Sequence, residues 1–152
     1  MEEREREDAV RTVARDGDPD RYASALFAPR PAREPLFALY ALNVELARAA
    51  EQVSEPQLGE IRLQWWREAL DRAAAGEDTG NPIADAVGSV ARRYALSGDS
   101  LAGLIDARSF DVSVKIMPDS AALDDYLGKT AGGLFRLAAE VTVPHRTAGI
   151  EP

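Results

Sequence analysis

The chain has 152 residues, 45% of them hydrophobic, with 26 acidic against 18 basic side chains and a formal charge of −8. One domain with a real core is the expectation. The acid excess argues against unaided binding to nucleic acid, whose affinity comes mainly from basic contacts to phosphate. Cysteine is absent and His145 is the single histidine, which excludes a disulfide framework, a thiol nucleophile and a His-pair zinc motif.

Residues 1–17 open on the charge-dense run Glu2-Glu3-Arg4-Glu5-Arg6-Glu7-Asp8, the opposite of a signal peptide's apolar core. They read as a charged arm or a solvated leading helix, with Val10 and Val13 as one weak stripe. No run approaches the ~18 apolar residues of a membrane span. The default address is therefore the cytoplasm, and any membrane contact is expected to be peripheral.

Asp16-Gly17-Asp18-Pro19-Asp20 breaks the chain, and Asp18 or Asp20 can cap a short helix through Tyr22, Leu26 and Phe27. A long helix follows over 33–53, where Pro35 in the first turn has no intrahelical N–H to lose. Leu36, Tyr40, Asn43, Ala47 and Glu51 line one of its faces, with Leu39 and Val44 beside them. After Ser54-Glu55-Pro56 a helix over 57–75 carries Leu58, Ile61, Trp65, Trp66, Ala69, Leu70 and Ala73. At about 100° per residue these cover more than half of the circumference, as expected of a helix sandwiched between neighbours. Arg62 falls inside that arc and needs a carboxylate or carbonyl partner if buried, Glu51 being one candidate.

Pro82 opens a helix through Ile83, Val87, Val90 and Tyr94, and Gly98-Asp99-Ser100 opens another through Leu101, Leu104, Ile105 and Phe110. Asp119 or Ser120 caps the last, striped by Leu123, Leu127, Thr130, Leu134, Leu137 and Val141 and broken only by Gly132-Gly133. Residues 144–152 read as a tail. With no alternating strand pattern, the fold class is all-α.

Three stretches carry a resemblance. Asp20-Arg21-Tyr22-Ala23-Ser24-Ala25-Leu26-Phe27-Ala28-Pro29 leads to Arg33 and Leu36-Phe37-Ala38-Leu39-Tyr40-Ala41. Gly59-Glu60-Ile61-Arg62-Leu63-Gln64-Trp65-Trp66-Arg67 follows. The third joins Leu104-Ile105-Asp106-Ala107-Arg108-Ser109-Phe110-Asp111 and Met117-Pro118 to Tyr126-Leu127-Gly128-Lys129-Thr130-Ala131-Gly132-Gly133-Leu134-Phe135. Together they resemble the squalene/phytoene synthase family, with the tryptophan segment closest to a bacterial branch. The resemblance spans about 18–141 and covers roughly the N-terminal half of the family's usual length.

That resemblance implies part of an isoprenoid-synthase-type helical bundle, with residues 18–143 as a truncated domain. It also implies descent from enzymes that condense two prenyl diphosphates head to head, with Mg²⁺ held by two acid-rich motifs on facing helices. The family's pattern makes Arg33, Tyr40, Arg62, Gly132 and Gly133 the candidate substrate-binding residues. The first acid motif falls on Ala47, Arg48 and Glu51, so Glu51 is the one candidate metal ligand. Glu45 lies about opposite Ala47 around the helix. The second motif is expected well beyond Gly133.

The chain alone is therefore expected neither to hold Mg²⁺ nor to turn over prenyl diphosphates. The alternative is a non-catalytic assembly or helical interaction protein, because a branch of the family acting in respiratory complex I assembly shares the lost aspartates and the tryptophan segment. Half a bundle should leave Leu36, Leu39, Tyr40 and Val44 partly exposed and favour self-association or a partner chain.

Overall fold

The computed structural model describes residues 2–51, 54–113 and 116–143. Among them are eight α-helices and no strand: α1 (Glu3–Gly17), α2 (Pro19–Ala25), α3 (Arg30–Glu51), α4 (Pro56–Ala74), α5 (Pro82–Tyr94), α6 (Gly98–Val112), α7 (Ser120–Lys129) and α8 (Ala131–Thr142). The expected tail, His145 and the end of the long helix at Val53 lie outside the described residues.

Local chemistry sets the helix starts. Asp18 accepts the Arg21 N–H at 3.2 Å ahead of α2. Asn81 accepts those of Ile83 and Ala84 at 3.0 Å each, Ser97 accepts that of Ser100 at 3.3 Å, and Asp119 that of Ala122 at 2.8 Å. Each answers a first-turn donor that has no helical partner. Pro19, Pro56 and Pro82 fill first helical positions, where a missing N–H costs nothing. Pro35 is different. Because α3 starts at Arg30 rather than Arg33, Pro35 sits inside the helix. It deprives the Pro31 carbonyl of its helical donor, and Pro31 is exposed, so water can supply the missing bond.

α3 is the axis of the fold. It touches α1, α2, α4, α5, α6 and α8, and every residue from Pro35 to Leu42 is buried. Leu36, Leu39, Tyr40 and Val44 are only 3%, 0%, 9% and 7% exposed, which corrects the expectation of a face left open. α1 and α2 cover what the longer-range part of a bundle was expected to cover. The leading charged segment is a helix whose Val10 and Ala14 are buried against this core. It is tied down by Arg6 to Asp78 and Asp85 at 3.1 and 3.2 Å and by Arg11 to Glu34.

The sandwiched helix is thus α3, and α4 is not one. α4 buries Gly59, Leu63, Trp66, Ala69, Leu70 and Ala73, chiefly against α5 and α6, and touches α3 less. Its other apolar residues, Leu58, Ile61 and Trp65, are 47%, 60% and 43% exposed. Arg62 is exposed as well, so no charge is buried there, and among the described residues it forms no ion pair with Glu51.

The last expected helix is two. The break falls at Thr130, whose φ of −83° and ψ of −89° interrupt the ladder, and not at Gly132-Gly133. α7 buries none of its residues, and the burial of the stripe begins at Thr130 and continues through Leu134, Leu137 and Val141.

Candidate functional site

The structure distributes the candidate residues over several places. Tyr40 projects from α3 toward a cavity of about 250 Å³. Arg21 of α2 and Leu134, Phe135, Ala138 and Thr142 of α8 complete its wall. Burial pushes the Tyr40 phenol above its ordinary range, nearby Arg21 opposes the shift and Asp18 adds to it. Tyr40 is therefore a neutral hydroxyl near Arg21, whose guanidinium is already paired with Asp18 at 2.6 Å.

Gly132 and Gly133 occupy the first turn of α8 rather than the cavity wall. A Cβ on Gly133 would lie 3.5 Å from Leu104 Cδ2, an ordinary contact distance, so the packing of α8 on α6 does not itself require glycine there. Arg33 donates from Nε to the Ala28 carbonyl at 3.0 Å and holds the turn between α2 and α3, away from Tyr40's cavity.

The positions expected to carry the first acid motif lie at the far end of α3. Arg48 pairs with Glu45 at 3.0 Å, three residues back on the same helix. Glu51 is exposed on the helix's final residue. Arg48 and Arg62 line one pocket of about 290 Å³ with Glu45, Ala49, Trp65 and Trp66. Tyr40's cavity and this pocket have no lining residue in common.

Asp106 and Asp111 belong to ion pairs. Asp106 meets Arg67 at 2.9 Å, and Asp111 meets Arg108 at 3.0 Å. Arg108 also donates to Asn43 Oδ1 at 3.2 Å, and the Tyr126 hydroxyl donates to Asp111. This chain of bonds links α3, α6 and α7. Sequence reasoning misses both it and Arg21's place beside Tyr40. The i, i+3 spacing of Arg108 and Asp111 is the one local signal that points to it. Beside Tyr126 a wider groove of about 820 Å³ runs between α6 and α7, floored by Phe110, Met117, Pro118 and Ala122.

A helical bundle built around α3, with a tyrosine-lined cavity on one side, is the arrangement expected of an isoprenoid-synthase relative. The squalene/phytoene synthase family model matches residues 14–151, and the chain belongs to that family. Among its relatives is NADH dehydrogenase (ubiquinone) complex I, assembly factor 6, of Bos taurus, 31% identical over 85% of this chain and 39% of the relative. The human protein of that name is 28% identical over the same shares. Presqualene diphosphate synthase of Rhodopseudomonas palustris is 31% identical over 86% of this chain and 46% of that enzyme. The chain thus spans less than half the length of these curated relatives. No solved structure matches it.

Proposed function

We propose that the chain is a non-catalytic member of its family that acts through protein contact, in the assembly of an NADH dehydrogenase complex. One observation carries this reading: the acid-motif positions of α3 hold Ala47, Arg48 and Glu51, with Arg48 engaged by Glu45. Mg²⁺ requires near-octahedral oxygen ligation, normally carboxylates plus diphosphate oxygens. Ala47 offers no oxygen, Glu51 offers one carboxylate at an exposed helix end, and Arg48 places a cation where an anion is needed. These residues do not fit a magnesium diphosphate centre. The likeness to assembly factor 6 supports the same reading.

The transferase reading draws on the presqualene diphosphate synthase match and on Tyr40 beside Arg21. Two measurements separate the readings. Purified protein is incubated with farnesyl diphosphate and Mg²⁺ and assayed for pyrophosphate and condensed product; none is expected, including from Ala47→Asp. The gene is deleted in its own host and the NADH dehydrogenase complex is quantified on native gels. A fall in assembled complex, restored equally by the wild type and Glu51→Ala, is the expected result. Metal-dependent turnover lost in Glu51→Ala would overturn the non-catalytic reading, and undiminished complex after deletion would overturn the assembly role.

A further inference from the structure

Two apolar stripes stay uncovered among the described residues. On α4, Leu58, Ile61 and Trp65 recur at i, i+3 and i+7 and are half-exposed or more, so they form one stripe along the helix. At about 100° per residue Trp65 lies on the side of α4 away from Arg67, which reaches Asp106 of α6 at 2.9 Å. Its ring is braced edge-on by buried Trp66, with centroids 4.9 Å apart, so it loses little freedom when a second surface covers it. On α7, Leu123 and Leu127 stand at i and i+4, both half-exposed, while Tyr126 turns toward Asp111 of α6.

Each stripe carries one unpaired charge, and the two charges are opposite. Of the arginines of α4, Arg67 pairs with Asp106 and Arg72 with Glu77. Exposed Arg62 has no carboxylate partner among the described residues. On α7, Asp125 pairs with Lys129, and exposed Asp124 has no cation partner among the described residues. Arg62 follows Ile61 and Asp124 follows Leu123, so each lies roughly 60–80° around its helix from the middle of its stripe, in the same sense. Equal flanks of two helices meet when the helices pack antiparallel, which sets Arg62 opposite Asp124. Within one chain both helices rest on α6, and the α4 stripe turns away from it, so the two stripes can meet only between copies.

We propose that the chain associates head to tail with a second copy of itself. The Leu58, Ile61 and Trp65 stripe of one copy packs antiparallel on Leu123 and Leu127 of the next, and Arg62 pairs with Asp124 across the contact. Such a contact leaves one stripe open at each end, so assembly continues past the dimer as a ring or a filament. It uses neither Tyr40's cavity nor the acid-motif positions of α3, and it is independent of the assembly role.

Sedimentation velocity of the full chain tests this by following average mass against concentration. One helix on another makes a small interface, so a Kd on the order of 10–100 µM is expected, with the mass rising from monomer to beyond dimer across that range. Ile61→Ser and Leu127→Ser should each leave a monomer. An equimolar mixture of these two variants should form a dimer of one copy of each and nothing larger, because it retains one intact stripe of each kind. Arg62→Asp and Asp124→Arg should each weaken association about ten-fold, and both together in one chain should restore it. All four side chains are exposed, and unchanged thermal unfolding of the variants serves as the folding control. A chain monomeric at every concentration, a mixture that stays monomeric, or a double reversal as weak as the single ones would overturn the proposal. Trp65-dependent flotation of a monomeric chain with phosphatidylcholine vesicles would also overturn it and assign the α4 stripe to a lipid surface.

Discussion

The Tyr126 hydroxyl donates to Oδ1 of Asp111 at 2.7 Å, joining exposed α7 to α6. α7 buries none of its own residues; this bond, the contact of the Tyr126 ring with Phe110, centroids 5.7 Å apart, and the donation of Arg136 to the Gly128 carbonyl hold it in place. Tyr126→Phe keeps the ring and removes the bond. A loss of about 1–2 kcal/mol is expected in denaturant unfolding. Asp111→Ala should cost more, because it also leaves mostly buried Arg108 without its carboxylate.

Alkaline pH should weaken the fold by the same route. Burial holds the Tyr126 phenol above its ordinary range, and the bond to Asp111 raises it further; burial likewise raises Tyr40. The folded state then keeps protons that the unfolded chain releases above pH ~10. Stability from these groups is complete below that pH and falls as pH rises through the folded values. Urea midpoints should drop between about pH 9 and about pH 11, less steeply in Tyr126→Phe. A flat profile there would contradict the burial of both hydroxyls.

Adjacent tryptophans should differ sharply. Trp66 is 6% exposed and Trp65 43%. Trp66→Ala should cost ~3–5 kcal/mol, the range for emptying an aromatic core site. Trp65→Ala and Arg67→Ala should each cost much less. Melting temperatures of the three variants provide the check.

Two helical glycines should respond oppositely to alanine. A Cβ on Gly88 would lie 2.5 Å from the Ala73 backbone carbon, where α5 crosses α4, so Gly88→Ala must push two helices apart and lose at least ~1–3 kcal/mol. Gly103 in α6 has open space at that position. Gly103→Ala should stabilise by roughly 0.5–1 kcal/mol through helix propensity. Calorimetric melting of both variants tests the sign as well as the size.

Tyr40, Ala47, Arg48 and Glu51 are legible in the amino-acid sequence alone. Their order along one helix, with the Gly59–Arg67 segment behind them, points to the family, because a run of residue types is read without knowing what packs against it. Caps and prolines likewise mark most helix starts, since a side chain two or three residues from an N–H meets it through local geometry alone.

Other features depend on what packs against what. The breadth of apolar residues on α4 suggests a helix buried on all sides, yet α3 holds that place and Leu58, Ile61 and Trp65 face outward. Hydrophobic periodicity counts apolar side chains and does not say which neighbour covers them. Val10 and Ala14 stand in a run of charges, but docking on α3 and α5 buries both. Arg48 and Arg62 line one pocket from successive helices, and the bond of Arg108 to Asn43 crosses between helices well apart in sequence. By itself the sequence determined the helical class and the family. Only the tertiary structure decided which apolar face stays open and which arginines share a pocket, because both depend on how whole helices are set against one another.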